Sequence, residues 1–176
     1  MKVILITGVS GTGKSHLAKR IAYDMDDSQL IYMDEHRFGD NWFKKPYDEF
    51  REGVFNEITS NENNKIIEGA YFDVSDKTNA RQKLFYEIIK TFDTEVIILK
   101  PKSRKQQLLS IITRSLKRYA GEEEQNSSGN VEKPENVTGL ILKNMDNYDL
   151  IQEKYTEFYD MYKDRCVIDV VEMNYI

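Results

Sequence analysis

The chain has 176 residues, of which 40% are hydrophobic, and it carries a formal net charge of −5. This length and apolar content predict one α/β domain, spanning residues 1–176, that is large enough to bury a core. The negative charge disfavours a surface built throughout for nucleic acid, although a local basic groove is compatible with it. A lone cysteine, Cys166, cannot form an internal disulfide, so we expect a reducing, cytoplasmic location. The apolar run near the N-terminus leads into glycines and Lys14 instead of a span of about 20 apolar residues, so we expect no membrane segment.

Short apolar runs alternate with longer amphipathic segments along the chain, which is the pattern of a parallel sheet with crossover helices. We predict five strands, at residues 2–7, 29–33, 65–68, 95–99 and 166–171. Apolar residues at helical spacing predict helices over 14–25, 47–59, 84–92, 100–120 and roughly 135–163. The expected fold is therefore α/β, with a five-stranded, mainly parallel sheet.

Residues 100–120 form the most basic segment of the chain. They hold seven Lys or Arg and no acidic residue, and they carry an apolar face formed by Leu108, Leu109, Ile112 and Leu116. We interpret the segment as a helix with one cationic flank. The stretch that follows, 121–136, is polar and rich in Gly, Ser and Asn, which predicts a mobile loop.

Residues 8–15, with the sequence GVSGTGKS, match the phosphate-binding pattern G-x-x-x-x-G-K-[ST] between a predicted strand and a predicted helix. Glycines let backbone N–H groups turn toward phosphate oxygens, and the positive end of the following helix adds to that field. Lys14 would reach the β- and γ-phosphates of ATP, and the Ser15 hydroxyl would hold Mg²⁺. The predicted nucleotide-binding residues are Gly8, Val9, Ser10, Gly11, Thr12, Gly13, Lys14, Ser15 and His16.

A phosphate-binding loop serves motors, switches and kinases alike. The sequence LIYMDE, residues 30–35, looks like the acidic strand of a motor ATPase, but it lies only about twenty residues past the loop, in the next strand. No Asn-Lys-x-Asp element for reading guanine is present, which disfavours a GTPase switch. Transfer of the phosphate is therefore favoured over hydrolysis.

The order of these motifs resembles the nucleoside and nucleotide kinases of the P-loop superfamily. The resemblance rests on the N-terminal phosphate loop, an Asp at the end of the second strand, IIEG in the third, and RSLKR leading into a polar loop. Asp34 together with KIIEGAY is closest to uridine-kinase-like proteins, and TRSLKRYAGEEE resembles the lid of adenylate-kinase-like small kinases. The resemblance implies a three-layer α/β/α P-loop kinase fold with a small lid at about residues 114–136.

The resemblance also implies roles for individual residues. Asp34 would accept the proton of the substrate hydroxyl, and Glu68 would help Ser15 to bind Mg²⁺. Arg114 and Arg118 are one helical turn apart, so they can share one helix face and clamp the transferring phosphoryl group. Strand alternation predicts that Asp34 and Glu35 face opposite ways.

The predicted acceptor is a small nucleoside- or nucleotide-like molecule. Its candidate ligands are Asp34, Arg37, Glu68 and Tyr71, where a solvated charge is the alternative for Arg37 and core packing the alternative for Tyr71. Two other functions stay open: a kinase acting on a hydroxyl of DNA or RNA, and an ATP-binding module without transfer activity. Acceptor identity, ATP versus GTP preference and oligomeric state do not follow from these patterns.

Overall fold

We describe a computed structural model, in which residues 1–40, 43–121 and 134–173 are described. Five strands and seven helices follow one another in these ranges. In chain order they are β1 (Val3–Gly8), α1 (Lys14–Asp24), β2 (Ser28–Tyr32), α2 (Met33–Arg37), α3 (Tyr47–Ile58), β3 (Asn64–Glu68), α4 (Ala80–Thr91), β4 (Thr94–Pro101), α5 (Arg104–Tyr119), α6 (Pro134–Asp146), α7 (Tyr148–Tyr162) and β5 (Val167–Met173).

The strands form one sheet in the order β2-β3-β1-β4-β5, and every pair of neighbours is parallel. β1 is central and all six of its residues are buried, as expected for an apolar strand covered on both faces. Ile6 of β1 is in register with Glu68 of β3, and Gly8 is in register with Leu99 of β4. The carboxyl ends of the strands therefore meet at one edge, where open α/β sheets bind ligands.

Helices cover both faces of the sheet and make three layers. α1 packs on one face, against a cluster that includes Ile4, Ile6, Ile66 and Leu99. The larger core lies on the other face, where α3, α4 and α7 pack against β1, β3 and β4. Phe158 of α7 is fully buried there, in contact with the rings of Tyr71, Phe85 and Tyr162.

The α/β class and the five strands are confirmed, with two local differences. Met33 was predicted to end the second strand, but β2 ends at Tyr32 and Met33 begins the short helix α2. The helix predicted over roughly 135–163 is two helices, because the chain breaks at Asn147, whose φ of −109° and ψ of 18° are not helical. The sheet is also wholly parallel rather than mainly so.

The side that α5 buries differs from its apolar face. Gln107, Ile111 and Ser115 are buried, whereas Leu109 is 53% exposed and Leu116 is 62% exposed. The orientation follows from the polar contacts that the buried side makes with the phosphate-binding loop, described below. Within the described ranges, no helix has the length and apolar character needed to cross a membrane.

Candidate phosphoryl-transfer site

The loop from Gly8 to Ser15 takes a shape that depends on glycine. Gly8, Gly11 and Gly13 all have positive φ, at 148°, 81° and 79°. A Cβ on Gly8 would lie 2.3 Å from the backbone oxygen of Leu99 in β4. Only glycine therefore lets the backbone pass this close to β4 where the loop begins. Backbone N–H groups in such a loop are directed to bind an anion rather than to continue a helix or strand.

Polar contacts within the loop and from its neighbours hold its carbonyl groups. The buried Thr12 hydroxyl donates to the Val9 carbonyl at 2.7 Å. From α5, the side-chain amide of Gln107 donates to the Ser10 carbonyl at 3.0 Å, and the Ser110 hydroxyl donates to the Gly11 carbonyl at 2.6 Å. These contacts occupy the carbonyls of Val9, Ser10 and Gly11.

α1 begins directly at the loop. Gly13 is its N-cap residue, no side chain caps it by a hydrogen bond, and its first turn contains no acidic residue. The first N–H groups of a helix have no partners within the helix and carry the positive end of its dipole. This arrangement is suited to an anionic ligand, and His16, also in the first turn, is exposed.

Lys14 bends back over the loop, where its Nζ donates to the Val9 carbonyl at 3.1 Å. Burial lowers the pKa of Lys14, whereas the carboxylates of Glu68 and Asp34 raise it. The cations Arg114 and Arg81 lower this pKa further. Charged residues from four different elements, β3, α2, α5 and α4, thus act on this one ammonium group.

Glu68 lies at the carboxyl end of β3, beside the loop. Its Oε2 accepts a hydrogen bond of 3.3 Å from the Ser15 hydroxyl. Burial raises the pKa of Glu68; Lys14 opposes this rise and Asp34 adds to it. Mg²⁺ prefers oxygen ligands, and this pair offers a carboxylate and a hydroxyl oxygen side by side.

Asp34 lies in the first turn of α2, immediately after β2. Its Oδ1 is 2.9 Å from Nη2 of Arg81, and its carboxylate also acts on Lys14 and Glu68. The neighbouring Glu35 is different: burial raises the pKa of Glu35, and the Glu57 carboxylate of α3 raises it further. Asp34, not Glu35, is therefore the acid associated with the loop.

The prediction that Asp34 and Glu35 face opposite ways assumed that both residues lie in a strand, and that assumption was wrong. The two residues lie in a helix, where successive side chains are about 100° apart rather than opposite. Their neighbours still differ, because Asp34 pairs with Arg81 of α4, whereas the pKa of Glu35 is raised by the carboxylate of Glu57 in α3.

Two predicted acceptor ligands have protein partners. Arg37 is 3% exposed and its Nη2 is 3.3 Å from Oδ1 of Asp76 and 3.3 Å from the Thr78 hydroxyl. Tyr71 is 6% exposed, and burial raises the pKa of its hydroxyl to about 12. The ion pair of Arg37 and the burial of Tyr71 fit structural roles, and core packing was the alternative named for Tyr71. Substrate binding by either residue stays a prediction.

The predicted lid is described in part. Arg114 and Arg118 are half-buried on α5, one turn apart, and Arg114 acts electrostatically on Lys14. Residues 122–133 of the predicted lid lie outside the described residues. Closure of the lid over a phosphate therefore stays a prediction.

The residue of this site that sequence reasoning missed is Arg81. It lies in the first turn of α4 and is 6% exposed, and it contacts Asp34 while acting on Lys14 and Glu68. One signal was available: helix N-termini favour acidic residues, yet the first turn of α4 contains this arginine and no acid.

The sequence matches no protein-family model and no curated protein. Among solved structures, a protein of the PezAT chromosomal toxin-antitoxin system of Streptococcus pneumoniae superposes with a TM-score of 0.51 at 15% identity, covering 97% of this chain and 67% of that one. A shikimate kinase from Bacteroides thetaiotaomicron has a TM-score of 0.43 at 17% identity, covering 94% and 83% of the two chains. A sugar kinase from Janibacter has a TM-score of 0.44 at 14% identity, covering 85% and 95%. At these identities the likeness to the Streptococcus protein shows a shared α/β fold and nothing about activity.

Proposed function

We propose that the protein is an ATP·Mg²⁺-dependent kinase that transfers the γ-phosphate to a hydroxyl of a small nucleoside- or nucleotide-like acceptor. The observation that carries the proposal is the meeting of three strand ends at one edge of the sheet. The phosphate-binding loop follows β1, Asp34 follows β2, and Glu68 ends β3, and both acids act on Lys14. A loop alone would bind ATP, whereas the added acid beside it supplies a proton acceptor for an incoming hydroxyl.

Each residue has a defined task in this proposal. The loop N–H groups and Lys14 bind the phosphates of ATP. Ser15 and Glu68 would hold Mg²⁺, which when bound neutralises charge on the phosphates and orients them. Arg114 would stabilise the negative charge of the transferring group, with Arg118 joining it as the second arginine of the lid.

Asp34 orients the acceptor hydroxyl and takes its proton. The acceptor oxygen forms a bond to the γ-phosphorus while the bond from that phosphorus to the β,γ-bridging oxygen breaks, and ADP takes the electron pair. Positioning and charge neutralisation supply most of the acceleration in such transfers, since little covalent chemistry falls to the protein.

Replacing Asp34 with asparagine tests this assignment. We expect Asp34→Asn to lower the transfer rate about 100-fold or more, the usual contribution of a general base, while ATP affinity changes little. Glu35→Gln is the matched control, because Glu35 is the next residue of the same helix and meets α3 instead. Full transfer by Asp34→Asn would show that the proton goes elsewhere.

Transfer of γ-labelled phosphate from ATP to pooled nucleosides, nucleoside monophosphates and oligonucleotides distinguishes the proposal from its alternatives. The exposed cations Lys102, Arg104 and Lys105 at the start of α5 are the feature that fits a nucleic-acid acceptor. Labelled oligonucleotide as the main product would identify that class, and its binding would weaken steeply with salt. Bound ATP with no labelled product from any acceptor would identify a binding module.

A further inference from the structure

Arg81 holds the carboxylate that the proposed reaction needs. Its Nη2 lies 2.9 Å from Oδ1 of Asp34, and the two side chains differ greatly in exposure, at 7% for Arg81 and 53% for Asp34. The guanidinium also lies over the ring of Phe38, with its carbon 5.9 Å from the ring centroid. A buried, packed cation therefore fixes one oxygen of a carboxylate that faces solvent.

The location of Arg81 is unfavourable for the stability of its own helix. It is the second residue of α4, directly after Ala80, and the first turn contains no acidic residue to offset it. A cation at this end opposes the helix dipole. The N-cap residue Asn79 gives no compensation by a side-chain cap and has a left-handed φ of 55°. Because an arginine at this position does not stabilise α4, we look for its role in the contacts that its guanidinium makes.

The charge of Arg81 also acts on other residues of the site. Arg81 lowers the pKa of both Lys14 and Glu68, although burial dominates each of those shifts. Among the described elements, α4 thus contributes a cation to a site otherwise built from the loop, α2, β3 and α5.

We propose that Arg81 is a positioning residue, which directs Asp34 at the acceptor hydroxyl. This inference rests on the proposed function. Since the ion pair uses Oδ1, Oδ2 is the atom that accepts the proton. An exposed aspartate without this partner would sample several rotamers, and a misplaced reacting group costs up to about 100-fold in rate.

The kinetic test compares Arg81→Ala and Arg81→Lys with Lys83→Ala. Lys83 is an exposed cation on the same helix, so its loss controls for net charge and helix content. We expect Arg81→Ala to lower kcat about 10- to 100-fold, with ATP affinity changed less than about twofold and partial recovery in Arg81→Lys. Lys83→Ala should retain the wild-type kcat.

A double substitution separates positioning from general damage. If Arg81 acts through Asp34, then Arg81→Ala has almost no further effect on kcat in an Asp34→Asn background. Equal losses in both backgrounds would overturn the inference, as would a wild-type kcat in Arg81→Ala. Urea midpoints for each variant show whether the protein still folds.

The ion pair between Arg81 and Asp34 can also be tested in the absence of an acceptor. In the free protein, side-chain NMR of arginine guanidinium groups should show restricted rotation for Arg81, and Asp34→Asn should release it. An unchanged Arg81 signal in Asp34→Asn would overturn the inference. If the wild-type protein transfers no phosphate to any acceptor, the proposed function fails, while this comparison still decides whether Arg81 holds Asp34.

Discussion

Replacing Gly11 with alanine tests whether ATP binding depends on the backbone shape of the phosphate-binding loop. Gly11 has a φ of +81°, in the left-handed region, where any other L-residue costs about 1–2 kcal/mol. An added Cβ would also lie 2.9 Å from Cγ1 of Ile111, so either the loop or α5 has to shift. We expect Gly11→Ala to weaken ATP binding about tenfold or more, which corresponds to about 1.4 kcal/mol.

Gly121→Ala is the matched control. Gly121 has a similar φ of +74°, but a Cβ there would meet no atom of the described residues within 4 Å. Both variants should lose about 1–2 kcal/mol of unfolding free energy from the φ penalty, measured by urea titration. Calorimetric titration with ATP·Mg²⁺ should show a loss of affinity in Gly11→Ala alone. Wild-type ATP affinity in Gly11→Ala would refute the reasoning about the loop.

Two further predictions concern contacts around the site. Ser110→Ala removes the hydrogen bond to the Gly11 carbonyl, worth about 1 kcal/mol, and should weaken ATP binding about fivefold, whereas Thr113→Ala on the exposed side of α5 should not. The second concerns the ion pair between Asp73 and Lys143 at 2.7 Å, which joins the loop after β3 to α6. Burial alone would raise the pKa of Asp73, but hydrogen bonds from Lys143 and a neighbouring serine hold it well below its usual range. A depressed carboxyl pKa stabilises the fold above the unfolded value of about 3.9, so the stability advantage over Lys143→Met should be full at neutral pH and shrink as the pH falls below about 4.

Each of these predictions has a result that would contradict it. Equal ATP affinities for the Ser110 and Thr113 variants would mean that α5 does not shape the loop. Urea titrations of wild type and Lys143→Met across the acid range test the ion pair, and a stability difference independent of pH would exclude it as the cause.

The parts of the fold that were predictable from sequence are those fixed by local pattern. The run VILI, residues 3–6, is apolar throughout because β1 is buried on both faces, and GVSGTGKS has glycines where φ is positive. Asp34 and Glu68 could be associated with the loop because parallel strands bring their carboxyl ends to one edge.

The parts that were not predictable depend on contacts between distant elements. Arg81 meets Asp34 only because α4 and α2 both begin at the same edge of the sheet, and no spacing in the sequence records this. The same is true of α5: the pattern predicted its apolar face and cationic flank, but not that Gln107 and Ser110 bond to the loop and lie on the side that packs against it.

The central claim is that this site transfers the γ-phosphate of ATP rather than only binding it. The most direct measurement is the transfer of γ-labelled phosphate to pooled nucleosides, nucleoside monophosphates and oligonucleotides, in wild type and in Lys14→Ala. Our account predicts a labelled nucleoside or nucleotide product with the wild-type protein and almost none with Lys14→Ala. Label found only in inorganic phosphate, or no product from any pool while ATP is bound, would contradict it.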